Sequence, residues 1–173
     1  VLIVPGNMDR RDVVLDLWRE EGLHLLHRST WTLRGHCFIG LGGMVARNPQ
    51  RLGDPARFYH TDEEAYECLS RIWSEIHCTG RRIVIVHQPP RGAQDTLYTG
   101  ESSGSTALRR FVDEHQPDLL LCGHIHECRG ESWIGSCRIV NLGEMRLGYA
   151  AMIELEDGIR VEWIGPSGHI PKG

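Results

Sequence analysis

The chain has 173 residues, a length that fits one domain large enough to bury a sizeable core. Its 40% apolar and 24% charged content is that of an ordinary globular protein, and no apolar run approaches the length needed to span a bilayer. A net charge of −4 argues against a nucleic-acid-binding surface spread over the whole protein.

Val1-Leu2-Ile3-Val4 already follows a buried-strand pattern, with neither an initiator Met nor a polar lead-in, so the domain is expected to begin upstream. This strand runs into the tight turn Pro5-Gly6-Asn7-Met8-Asp9. A helix is predicted from about Arg10 to Glu21, with Val13, Val14, Leu17 and Trp18 on its apolar face and Gly22 as its stop. Asp9 suits either a helix N-cap or a hydrogen-bond acceptor behind a functional site. Leu23 to His27 reads as a short strand, its two histidines on an exposed or polar face rather than binding a ligand.

Thr32 to Leu41 has the pattern of a hairpin around Arg34-Gly35, and residues 44–60 read as loop, with Asn48-Pro49 and Gly53-Asp54-Pro55 as turn signals. Thr61-Asp62-Glu63-Glu64 is a capping box that starts a helix reaching about His77, with Ala65, Leu69, Ile72, Trp73 and Ile76 inward. Arg82 to His87 is a buried strand ending in a histidine and stopped by Pro89-Pro90. The following loop of about fifteen residues is long enough to suggest function. A helix starts near Gly104-Ser105 and ends before Pro117, with Leu108, Phe111 and Val112 inward.

Leu119-Leu120-Leu121-Cys122-Gly123-His124-Ile125-His126 follows. The apolar run predicts a strand buried on both faces, and the glycine lets the backbone approach a ligand closely. If the backbone stays extended, His124 and His126 point to the same side, just beyond the end of a core strand where open α/β sheets bind ligands. Read alone, the pair could equally be solvated loop residues. The remaining segments (Ser132–Ile134, Arg138–Asn141, Tyr149–Leu155 and Ile159–Ile164) predict short strands and an antiparallel finish. Residues 165–173 form a Pro/Gly-rich flexible tail.

Three predicted strands thus end in Asn7, in His87, and in the pair His124 and His126. Amide and imidazole ligands suit a borderline divalent ion such as zinc, manganese or iron. Six scattered cysteines, without a Cys-x-x-Cys pair, read as reduced thiols of a cytoplasmic protein. His36, His60, His77, His115 and His169 have no partner that the sequence identifies.

With Val4-Pro5-Gly6-Asn7-Met8-Asp9, Val86-His87-Gln88-Pro89-Pro90 and Gly123-His124-Ile125-His126, the chain resembles the calcineurin-like metallophosphoesterases, above all the small single-domain prokaryotic type. Softer agreement runs through Gly104-Ser105, Pro117-Asp118-Leu119 and Asn141-Leu142-Gly143. The resemblance implies an α/β fold, a four-layer α/β/β/α sandwich covering residues 1–164, and two divalent metal ions, with Mn, Fe, Zn and Ni as candidates. Asn7, His87 and His124 would ligate one ion and His126 the other. A hydroxide shared by the metals would cleave a phosphomonoester or phosphodiester. Substrate contacts fall to Arg91 in the long loop or Ser105 at a helix start, although a solvated Arg and a plain helix cap read as well there. The implied partner is a phosphate-ester substrate, and the oligomeric state stays open.

Two departures stand out. The family's Asp-x-His and Gly-Asp motifs should precede Gly6-Asn7. Asp113-Glu114-His115 and Gly53-Asp54-Pro55 lie on the wrong side of that order, so roughly 40–60 residues carrying the bridging carboxylate are expected upstream. The family's usual His after Gly-Asn is here Met8, which cannot serve a leaving group as a proton donor. A scaffold or interaction module of the same fold, and a structural or storage metal site, are the competing readings.

Overall fold

The computed structural model describes residues 1–17 and 19–166. Trp18 and most of the expected tail lie outside them. The chain opens with β1 (Leu2–Ile3), α1 (Arg11–Leu17) and β2 (His24–Leu25), the two strands pairing in parallel. α1 is shorter than the spacing predicts. Its start is tied by polar bonds from Arg11, the N–H to the Ala56 carbonyl and Nε to the Arg57 carbonyl, so only Val14 is buried while Val13 and Leu17 face solvent.

The predicted hairpin forms from β3 (Ser29–Leu33) and β4 (His36–Leu41), with Arg34 and Gly35 both at positive φ in its turn. Residues 44–60 are not plain loop. They hold β5 (Met44–Val45), α2 (Pro49–Leu52) and β6 (Tyr59–His60), pieces of two to four residues too short to leave a periodic signal. α3 (Asp62–Glu75) begins at the capping box: Thr61 Oγ1 accepts from the Glu64 N–H at 3.1 Å, and the Glu64 carboxylate accepts from the Thr61 N–H at 2.9 Å.

β7 (Arg82–Val86), α4 (Thr106–His115) and β8 (Leu119–Cys122) follow as the patterns predict. Then come β9 (Gly130–Ile134), β10 (Cys137–Asn141), β11 (Ala150–Glu154) and β12 (Arg160–Ile164).

The main sheet has the order β3-β4-β7-β8-β10-β9, parallel through its four central strands and antiparallel at both edges. The expected antiparallel finish is met in part. β9–β10 and β11–β12 are antiparallel, but β10 returns beside β8 in parallel. Its Cys137, Ile139, Val140 and Asn141 are all buried, and a strand covered on both faces belongs inside a sheet.

α3 and α4 cover one face over Ile39, Val84, Leu120 and Ile139. The β11–β12 hairpin covers the other, with Ile153, Val161 and Trp163 against Phe38, Ile85 and Leu121. Arg129 pins this hairpin: its guanidinium lies 4.5 Å from the Tyr149 ring centre and 4.6 Å from that of Trp163. The result is a mixed α/β fold in which the carboxyl ends of β7 and β8 lie side by side. Among the described residues, no helix is long and apolar enough to cross a membrane.

Candidate metal centre

The turn after β1 brings Asn7 to the end of β7. Asp9 shapes it: its carboxylate accepts the Gly6 N–H at 2.6 Å, so this side chain closes the turn rather than capping α1. Gly6 lies against the His87 ring, where an added Cβ would stand 3.0 Å from Cε1. Absence of a side chain there lets Asn7 reach the histidine: Asn7 Oδ1 is 2.9 Å from His87 Nε2. The same Nε2 is 3.1 Å from Nδ1 of His124, whose ring meets that of His87 edge-on.

His124 arrives by an unexpected route. Its φ is +65°, and the Ile125 N–H bonds back to the Gly123 carbonyl at 2.7 Å, which makes residues 123–125 a γ-turn. His126 then begins a 3₁₀ turn over His126–Cys128. The premise of extended backbone through His-x-His is thus corrected. A non-glycine residue in left-handed backbone costs on the order of 1–3 kcal/mol and is found where surrounding structure holds it. Gly123 supplies part of that hold, its N–H bonded to the His87 carbonyl at 2.9 Å.

Burial pushes the His87 imidazole down to about 4, with His124 as the next cause; His124 is also lowered, by burial first and by His126 second. Both rings are neutral near pH 7, the form in which imidazole binds metals. Two donors about 2.1 Å from a common cation and at right angles to it stand about 3.0 Å apart. The spacings of 2.9 and 3.1 Å on either side of His87 Nε2 are compatible with that geometry, so Asn7, His87 and His124 could serve together as ligands of one divalent ion. Among the described residues, no three His, Cys, Asp or Glu side chains form a ligand set of their own.

His126 stands apart, half exposed, with Nδ1 3.2 Å from a carboxylate oxygen of Glu144. Among the described residues, no hydrogen bond joins Arg91 or Ser105 to Asn7, His87, His124 or His126. Arg91 is exposed, with its backbone paired to Ser105, and the Ser105 hydroxyl is buried and spent on capping α4 through the Leu108 N–H.

Three features escaped the sequence reading. Glu144 is the first. The second is Asn141, whose buried amide ties loops together: Nδ2 donates to the carbonyls of Ile125 and Gln94, and Oδ1 accepts from the Gly143 N–H. The third is a clamp on the Gly42 peptide. His27 Nδ1 accepts its N–H at 3.1 Å and His60 Nε2 bonds its carbonyl at 2.8 Å. Gly43 in turn donates to the Pro5 carbonyl at 2.7 Å, next to the Gly6-Asn7 turn. His27 and His60 are 33 residues apart, so no local pattern in the sequence links them. His169 lies outside the described residues.

The family model described as metallophosphoesterase, calcineurin superfamily, matches residues 1–163. An uncharacterized protein of Methanocaldococcus jannaschii is 28% identical over 148 residues, covering 82% of this chain and 62% of that protein. A UPF0046 protein of Caenorhabditis elegans is 27% identical over 164 residues, covering 85% and 52% respectively. The chain thus spans between about half and two thirds of these relatives' lengths. One solved structure superposes with a TM-score of 0.78 at 22% identity, over 93% of this chain and 64% of that one. The crystal structure of TT1561 from Thermus thermophilus gives 0.67 at 19%, over 95% and 71%. Both show the shared fold.

Proposed function

Because this chain belongs to the calcineurin superfamily of metallophosphoesterases, for which a phosphoesterase-type activity is the general expectation, we propose that it takes part in metal-dependent hydrolysis of a phosphomonoester or phosphodiester. The observation that carries this reading is the contact of His87 Nε2, at the end of β7, with both Asn7 Oδ1 at 2.9 Å and His124 Nδ1 at 3.1 Å. Asn7, His87 and His124 would hold one divalent ion, and His126, oriented by Glu144, would hold a second; manganese is the first candidate. When bound, such ions supply positive charge to the phosphoryl oxygens and acidify a water.

Neutral amide and imidazole donors leave that charge uncancelled, which a set of carboxylates would not. Hydrolysis forms a bond from water oxygen to phosphorus, breaks the ester P–O bond and passes a proton to the departing alcohol. Met8 cannot donate that proton, so substrates with acidic alcohols are favoured. The six unpaired cysteines support a reducing, cytoplasmic setting.

Manganese titration and hydrolysis of an aryl phosphate by the full-length protein test the reading. Turnover that is lost in His124→Ala is expected. Absence of turnover with manganese, iron, zinc and nickel alike would overturn it.

A further inference from the structure

The two edges of the main sheet meet solvent differently. β9 carries Glu131, whose carboxylate holds the Arg138 guanidinium at 2.7 Å, and a charge on an edge strand discourages another strand from pairing there. β3 reads Ser29-Thr30-Trp31-Thr32-Leu33, with no charge and no proline. Trp31 is 38% exposed and Leu33 55%.

The hairpin register fixes which backbone groups of β3 stay free. Thr32 faces Cys37 and Thr30 faces Ile39. The Cys37 N–H points away from β3, donating to the Arg81 carbonyl at 2.9 Å. Thr32 and Cys37 are therefore a non-hydrogen-bonded pair, and by alternation so are Thr30 and Ile39. Thr30 and Thr32 thus turn their N–H and C=O groups outward, where no partner meets them among the described residues. Beside this edge lies a groove of about 530 Å³ between β3 and the end of α3, whose lining includes Thr30, Thr32, Arg71, Glu75 and Ile76. Trp31 takes the opposite face, its ring centre 3.9 Å from that of His24.

Free donors and acceptors along a sheet edge are complementary to the backbone of another extended strand. We propose that the occupant is β3 of a second copy of this chain, the two strands running antiparallel about a two-fold axis at Trp31. Thr30-Trp31-Thr32 reads the same in both directions. The register about Trp31 therefore sets Thr30 against the partner's Thr32, and Trp31 against the partner's Trp31. Both pairs obey the alternation that β4 imposes. Thr30 and the partner's Thr32 exchange N–H···O=C bonds through the groups left free, while Trp31 falls at the close position where aromatic pairs pack well. An interface of this kind is isologous and closes at two chains. The same register sets Arg28 against the partner's Arg34 at the ends of the seam. Both residues leave the strand at positive φ, and their guanidiniums turn to His60 and Glu156, which draws the like charges off the axis.

The test follows the full-length protein by analytical ultracentrifugation over a concentration series. The wild type should carry twice the mass of one chain and fall to one on dilution. Thr32→Pro removes an outward N–H and no bond within the sheet, so the dimer should be lost with far-ultraviolet circular dichroism unchanged. Trp31→Lys sets like charges face to face and should do the same. Cross-linking under oxidised glutathione reads the register. Trp31→Cys should give a disulfide-linked dimer where the wild type gives none, because opposed Cα atoms in such a pair lie about 4.5 Å apart, within disulfide reach. Ser29→Cys and Leu33→Cys should link only when mixed. A single-chain mass at every concentration would overturn the proposal. So would a dimer that survives both Thr32→Pro and Trp31→Lys, or a Trp31→Cys chain that stays unlinked. A single chain whose Thr30 and Thr32 amides are protected from exchange would assign the edge to another part of the full-length protein, and would equally overturn it.

Discussion

The carboxylate of Glu144 lies 3.2 Å from Nδ1 of His126, and its second oxygen lies 2.7 Å from Nε of Arg146. The carboxylate is mostly buried while the imidazole is half exposed, so the interior partner fixes the outer one. A carboxylate at Nδ1 favours the tautomer with its proton there and leaves the Nε2 lone pair free.

Glu144→Ala is therefore expected to weaken ion binding at His126 by about 10–100-fold. Binding at Asn7, His87 and His124 should change by no more than a few-fold. Calorimetry with manganese, run on the full-length protein, separates the two affinities.

Gly6→Ala places a methyl 3.0 Å from the His87 ring, and the ring must yield. Metal affinity at His87 should fall at least about tenfold. Stability should fall by about 1–3 kcal/mol, the range for overpacking, read from urea midpoints.

Asn141→Ala removes three hydrogen bonds from a buried position and leaves the carbonyl of Ile125 without its amide partner. A loss of about 2–4 kcal/mol is expected. Amide exchange should speed up around Gln94 as well as in the histidine loop, because both hang on this side chain.

The clamp on Gly42 makes stability depend on acid. Burial pushes His27 down to about 3, with His60 the next cause, and burial also lowers His60. The unfolded chain takes up these protons near pH 6.5, so it binds more protons than the folded chain below that value. Stability present above about pH 6.5 should be lost as the pH falls toward 3, by at most about 1.4 kcal/mol per pH unit for each histidine. His60→Gln should flatten this acid limb in denaturant melts at pH 7, 5.5 and 4.5.

What the sequence disclosed follows from signal length. α3 and α4 carry several turns of periodic apolar residues with Thr61 and Ser105 as caps, and β7 and β8 are apolar runs with hard stops. That Asn7, His87 and His124 would meet was legible because each follows an apolar strand. The left-handed backbone at His124 was not, since nothing in a His-Ile-His triplet announces a γ-turn. Glu144 was hidden for a different reason. It reaches His126 only because β10 runs parallel to β8, and strand order is set by burial across the sheet rather than by neighbours in the chain.

Arg129 follows immediately on the turn His126–Cys128 and is gripped by Tyr149 and Trp163. The hairpin and the histidine turn are accordingly threaded on one rivet. Drawing it, by Arg129→Ala, would let the hairpin lift from the sheet and slacken the bend that carries His126, so damage at a distant strand would be felt as lost grip on a cation.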